Sequence, residues 1–244
     1  MKKLLLIQPG AFGDIFVCAP IAKWYADRGY EVHWPVRQKF VPTLQYFDYV
    51  KPIVLSEDSL HSDWLRSDVM KTLHMIKNYD KVVNLADRGP HPTAQLPYEN
   101  FEQCKYRIAE IPFEEKHNLV WSRNLEKEKS LLISLNIDKE KPYAVAHLVD
   151  SKNEKINMID TKLPVYEISE QKDYNIFDWY TIIMNAKEVY AIESAIHQFI
   201  DGFIKNTTSK NYLLKRSSVS QGYRYTQSKY WNLDIIGKNS EVRG

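Results

Sequence analysis

The sequence predicts an α/β protein built on parallel sheets. Three observations carry that expectation. An apolar run, Leu4-Leu5-Leu6-Ile7, leads through Gln8-Pro9-Gly10-Ala11-Phe12-Gly13-Asp14 into a helical stretch. Strand and helix patterns then alternate through the first half as β-α-β-α-β-α-β. The second half carries its own strand-turn-helix join, Val189-Tyr190-Ala191-Ile192 followed by Glu193-Ser194-Ala195-Ile196-His197.

The first join sets the reading of the rest. A buried strand that ends in a Gly-containing turn and opens a helix, here Ile15 to Arg28, begins a Rossmann-like unit. Glycine permits a tight turn and a close ligand approach, and the helix start leaves N–H groups facing that turn. Asp14 reads either as the helix cap or as an aimed carboxylate. The spacing is Gly-x-x-Gly-Asp, which is neither the dinucleotide fingerprint nor a P-loop.

The remaining elements follow in order. Gly29 suits a helix C-terminus. Glu31 to Arg37 alternates as a strand, Val41 to Phe47 is a short helix or turn, and Ile53 to Leu55 is the third strand. Trp64 to Tyr79 has helical periodicity through Leu65, Val69, Leu73 and Ile76. Lys81 to Ala86 is the fourth strand and ends in Asp87-Arg88-Gly89-Pro90-His91-Pro92. Ligands of doubly wound sheets sit beyond the carboxyl ends of the strands. That places Asp87, Arg88 and His91 on the same rim as Gly10 to Asp14; the alternative is a solvated Gly/Pro loop. Tyr98 to Ile111 is a helix carrying Lys105, Tyr106 and Arg107, and Asn124 to Asn136 is a charged amphipathic helix.

The polar run Asp138-Lys139-Glu140-Lys141-Pro142 marks the domain boundary, dividing the chain into residues 1–138 and 139–244. Beyond it, Tyr143 to Leu148, Pro164 to Ser169, Glu188 to Ile192 and Tyr212 to Leu214 read as strands. Ile176 to Ala186 and Ala195 to Phe203 read as helices. A basic, aromatic tail follows; from Lys205 onward eight Lys/Arg stand against two acids, +6, so the remainder carries −4 of the net +2.

Composition excludes several classes. A chain of 244 residues, 44% hydrophobic and 26% charged, is ordinary globular material for one large or two small domains. A net charge of +2 gives no global case for nucleic acid. Sixteen Tyr suit sugars and bases as well as cores. Cys18 and Cys104 read as buried thiols of a cytoplasmic protein, and no Cys/His spacing suggests a metal. No signal peptide and no run of transmembrane length is expected, which leaves peripheral membrane contact open.

The second join offers helix N–H groups and the Ser194 hydroxyl to phosphate oxygens, and the Glu193 carboxylate to ribose or sugar hydroxyls. His197 lies one turn in, pointing toward the same end; the alternative reading makes it a packed helix residue and Glu193 or Ser194 a cap. Taken together, the two joins resemble the ADP-heptose:lipopolysaccharide heptosyltransferase family of GT-B glycosyltransferases. The carrying residues are Leu5 to Asp14 with Pro20-Ile21, and Asn185 to Ile192 leading into Glu193-Ser194-Ala195-Ile196-His197. In the family the second motif is Asp-Ser/Thr-Gly-x-x-His, so Glu193 and Ala195 are departures. The family's His-Pro-Gly turn reads His147-Leu148-Val149 here.

The resemblance implies two Rossmann-like domains facing across a cleft, the C-terminal one shortened. It implies that the first domain holds the acceptor, with Gly10, Ala11, Phe12, Gly13, Asp87, Arg88 and His91 around it and Asp14 as general base. It implies that the second holds a nucleotide-diphosphate sugar through His147, Glu193, Ser194, Ala195 and His197, with inversion at the anomeric carbon. The sequence has no Asp-x-Asp pair, in line with metal-independent transfer, and calls for no cofactor. Three readings stand: transfer to a glycan or lipid-linked saccharide, transfer to a hydroxylated base in DNA as in some bacteriophage enzymes, and a sugar- or nucleotide-binding protein without catalysis. The tail's Tyr212, Tyr223, Tyr225, Tyr230 and Trp231 suit DNA stacking, or else pack as a closing helix.

Overall fold

The computed structural model describes residues 1–56, 64–86, 99–150, 154–156, 159–169, 171–216 and 229–236. The chain divides into two compact units, Met1–Ser122 and Arg123–Gly244.

The first unit is a parallel sheet. Its strands are β1 (Lys2–Ile7), β2 (Tyr30–Arg37), β3 (Val50–Leu55) and β4 (Lys81–Asn84), in the order β3-β2-β1-β4. Helix α1 (Phe12–Ala26) joins β1 to β2, α2 (Val41–Leu44) precedes β3, α3 (Trp64–Thr72) precedes β4, and α4 (Phe101–Ile108) follows it. Leu4 to Ile7 are all buried, as a central parallel strand covered on both faces must be. The apolar residues of α1 run around most of its circumference, from Ile15 to Ala22. The helix packs against β2 and β3 and is tied to the α4 region by two buried bonds: Tyr106 Oη donates to Val17 O at 3.0 Å and Tyr25 Oη to Ala109 O at 2.7 Å. Gly29, with φ +84°, turns the chain from α1 into β2.

The second unit is also parallel. Helix α5 (Leu125–Ser134) is followed by β5 (Ala144–His147), β6 (Val165–Glu167), α6 (Tyr180–Asn185), β7 (Glu188–Ile192), α7 (Ala195–Asp201), β8 (Lys210–Arg216) and β9 (Asn232–Ile236). The sheet order is β6-β5-β7-β8-β9. Ala144, Ala146, Tyr190, Ile192 and Leu214 form one buried face. Phe177, Phe199 and Phe203 form a chain of edge-on ring contacts, with centroids 5.4 and 5.1 Å apart.

The two compact units part at residue 122, and α5 is bonded into the second. Glu128 is buried and accepts from Arg123 Nε at 2.8 Å and Nη2 at 2.6 Å, and from the Thr181 hydroxyl; Ser130 Oγ meets Tyr174 Oη at 2.8 Å. The polar run 138–142 is a turn inside that unit. The described part of the tail is not a helix: residues 232–236 are a fifth parallel strand, paired with β8. No helix among the described residues is long and apolar enough to cross a membrane.

Glu128→Ala strips Arg123 and Thr181 of a buried acceptor and should cost about 2–4 kcal/mol of stability, read as a lower urea midpoint. Glu126→Ala, at an exposed position of the same helix, should cost less than about 0.5 kcal/mol. Equal effects would mean that α5 is not anchored through Glu128.

Candidate functional site

Each sheet has one place where neighbouring strands send their connections in opposite directions, leaving a crevice at their carboxyl ends. In the first unit this lies between β1 and β4; in the second it lies between β5 and β7. Both candidate motifs fall at these points.

At the end of β1, Gln8 is buried and doubly used. Its backbone carbonyl accepts from Trp34 Nε1 at 2.7 Å, and its side-chain Oε1 accepts from Lys105 Nζ at 3.0 Å. Lys105 comes from α4 and is buried. Its ammonium also donates to the carbonyl of Leu85, just past β4, at 2.9 Å, and lies 3.5 Å from Asp14 Oδ1. One cation thus joins the ends of both strands to the first turn of α1. Asp14 is the third residue of that helix, while Ala11 holds the cap position without a side-chain bond; the carboxylate is not the cap. The Asp14 side chain is 21% exposed and that of Lys105 is 5% exposed, so the carboxylate meets solvent with the ammonium behind it. One turn further along, burial pushes the Cys18 thiol up to about 12, which makes it an inert core group.

Around Asp14, Gly10 is buried, Ala11 is exposed, and Phe12 and Gly13 are half-buried. The Phe12 ring meets Phe16 edge-on at 5.1 Å. Gly10 and Gly13 do not adopt positive φ; among the described glycines only Gly29 does. Neither position therefore calls for glycine through its backbone conformation. Asp87, Arg88 and His91 lie outside the described residues.

In the second unit, His147 ends β5 and pairs in register with Ala191 on β7. Its Nδ1 is 3.2 Å from Ser194 Oγ, and Ser194 Oγ accepts from the backbone N–H of His197 at 3.2 Å. Ser194 is therefore the cap of α7 and a bridge between the two strand ends. Burial pulls His147 down to about 4, partly opposed by Glu167, so the ring is neutral near pH 7. Ser194 Oγ and Nδ1 share one hydrogen bond whose direction follows the tautomer of the ring. Glu193 and Ala195 flank Ser194, both half-buried. His197 joins the group through its backbone; its imidazole is buried and lies 5.0 Å from the ring of Trp231. Trp231 Nε1 donates to the buried Asp201 at 2.7 Å.

Lys105 was visible in the sequence only as one charge on a helix, and Gln8 only as a motif letter. The available signal was position: Phe101, Lys105 and Ile108 fall on one stripe of α4, where an apolar residue is expected. Tyr212, one of the tail's aromatics, stacks on Tyr190 at 4.7 Å, and Trp231 is buried, so both are used inside the unit.

No protein-family model matches the chain, and no curated protein matches it in sequence. Solved structures do resemble it. The glycosyl transferase family 9 structure from Veillonella parvula DSM 2008 aligns over 96% of this chain and 86% of its own, at 9% identity and a TM-score of 0.61. E. coli heptosyltransferase WaaC with ADP-2-deoxy-2-fluoro heptose aligns over 95% and 92%, at 10% identity and a TM-score of 0.52. The same enzyme with ADP aligns over 96% and 93%, at 11% identity and a TM-score of 0.51. At such identities the likeness is one of fold, and the fold of this chain is α/β and GT-B-like, with two Rossmann-like units in succession.

Proposed function

We propose that this chain is a glycosyltransferase that moves a sugar from a nucleotide-diphosphate sugar to a hydroxyl of a glycan or lipid-linked saccharide. The observation that carries the reading is the partly exposed Asp14 carboxylate at the β1/β4 crevice, held against a buried ammonium. The polar group at the β5/β7 crevice supports it, as does the likeness in fold to WaaC, which has been solved with ADP and with an ADP-sugar analogue.

In this reading the first unit binds the acceptor, with Gly10 to Gly13 and the Asp87, Arg88 and His91 loop around it. Asp14 takes the proton of the acceptor hydroxyl while that oxygen attacks the anomeric carbon. The bond from that carbon to the diphosphate oxygen breaks, on the face opposite the attack, so configuration inverts. The second unit binds the donor. The His147 imidazole and the Ser194 region meet phosphate or sugar oxygens, and Glu193 accepts from hydroxyls. Ser194 already takes the His197 N–H, so the short α7 helix offers the phosphates less than a free helix start would. The absence of an Asp-x-Asp pair from the sequence supports a metal-independent route.

One specific observation favours a second reading. Glu193 and Ala195 stand where the family motif has Asp and Gly, and an added Cβ at 195 narrows the approach of a diphosphate. A protein that binds the nucleotide sugar without transferring it fits those changes. Transfer to DNA draws less support, since Tyr212 and Trp231 are engaged internally.

Asp14→Asn should lower kcat by roughly 10²–10⁴-fold while donor binding stays within a few-fold. Near-wild-type transfer by this variant would remove Asp14 from the chemistry. One nucleoside diphosphate of an ADP, UDP and GDP panel should raise the melting temperature, by the equivalent of about 2.7 kcal/mol at one hundred times its Kd. Ser194→Ala should abolish most of that rise; an undiminished rise would place the nucleotide elsewhere. His147 generates a pH expectation. Its folded pKa, about 4, lies below the ordinary 6.5, so between those values the unfolded chain binds a proton that the folded chain does not. Stability should therefore fall as pH drops through that window, and His147→Gln should flatten that part of the profile in denaturant melts. An unchanged slope would show that His147 is not held neutral.

A further inference from the structure

Among the partners of Lys105 are oxygens from three different elements: Gln8 Oε1 from the end of β1, Leu85 O from the end of β4, and Asp14 Oδ1 from α1. The Phe101 ring lies 6.0 Å away. The neighbouring acid on its own helix, Glu102, is engaged by Lys116. If Lys105 served only to tie two strand ends together, a neutral donor would do so without the cost of burying a charge. The ammonium has a carboxylate in front of it, and that carboxylate is the more exposed partner, 21% against 5%.

We propose that Lys105 is a positioning residue for Asp14, holding the carboxylate in one orientation toward the acceptor. This rests on Asp14 being the acceptor's base. The proton inventory is simple. The acceptor hydroxyl proton passes to Asp14, Lys105 keeps all of its own protons, and Gln8 and Leu85 remain as its acceptors after Asp14 has become neutral. The two neutral oxygens fix Nζ in both states, so the cation does not follow the proton. Such an arrangement orients a base without competing for the proton as a donor.

The test is a thermodynamic cycle on the full chain, read by thermal melting: wild type, Lys105→Gln, Asp14→Asn and the double variant. Gln keeps an N–H donor for the strand ends and removes the charge. The proposal expects the drop in Tm caused by Lys105→Gln to shrink by at least about half when Asp14 is already Asn. Equal drops in both backgrounds overturn it and leave Lys105 as a strand tie only. Should Lys105→Gln not fold, Lys105→Met and Lys105→Arg replace it in the same cycle; Arg, which keeps the charge, should lose less coupling to Asp14 than Met, and identical coupling overturns the proposal. Because melting needs no substrate, this outcome is independent of whether transfer is found. Where transfer is measured, Lys105→Gln should lower kcat about tenfold or more and leave the donor KM within about threefold. A change confined to KM counts against a positioning role, and partial rescue of kcat by Lys105→Arg counts for it.

Discussion

A buried ammonium cannot stand alone, and Lys105 in this fold does not. Removing such a group from water costs several kcal/mol unless oxygen acceptors replace its hydration. Here they come from the two strand ends that flank the β1/β4 crevice and from the first turn of α1. That requirement explains features otherwise unconnected. Gln8 must be buried with its amide oxygen turned inward, and its backbone is fixed in turn by Trp34. Helix α4 must lie close enough to deliver the side chain, and the Tyr106 and Tyr25 hydroxyls bonded to backbone carbonyls hold α1 and the α4 region together. The cost of the buried charge is offset only while these parts keep their places, so the geometry around Asp14 depends on the packing of the whole first unit.

The second unit reaches a comparable result without a buried cation. Its β5/β7 crevice is bridged by neutral groups, the Ser194 hydroxyl and the His147 imidazole, and burial keeps that imidazole uncharged. The contrast matches the two roles proposed for these crevices. A carboxylate proposed as a base is oriented by a fixed partner behind it, whereas the oxygens of the proposed nucleotide could be met by neutral groups whose orientation is set beforehand.

The regular elements were legible because their patterns are strong. Leu4 to Ile7 reads as a central strand and is one; Glu188 to Ile192 matches β7 residue for residue. The place where the two compact units part, after Ser122, carries no signal in composition. A run such as Asp138 to Pro142 looks like a linker from composition, whereas the membership of α5 is decided by Glu128 bonding to Arg123 and Thr181, a long-range fact. Strand β9 was missed because Asn232-Leu233-Asp234-Ile235-Ile236, although apolar at Leu233, Ile235 and Ile236, is a short run inside a basic tail, and its pairing with β8 is again non-local. The site divides the same way. Asp14 and Ser194 could be placed at crevices from local strand-turn-helix patterns. Lys105 and Gln8 acquire meaning only from partners far away in the chain, and His197 proved to offer its backbone to Ser194 while its ring rests near Trp231.

Under the proposed function, ligands meet this protein where its strand connections part. Amide hydrogen exchange on the full chain, with and without each nucleoside diphosphate, tests that most directly. Added protection should concentrate at the ends of β5 and β7, in residues 147–149 and 193–198, for one of the nucleotides. Protection confined to other segments, or none with any nucleotide at millimolar concentration, would contradict it.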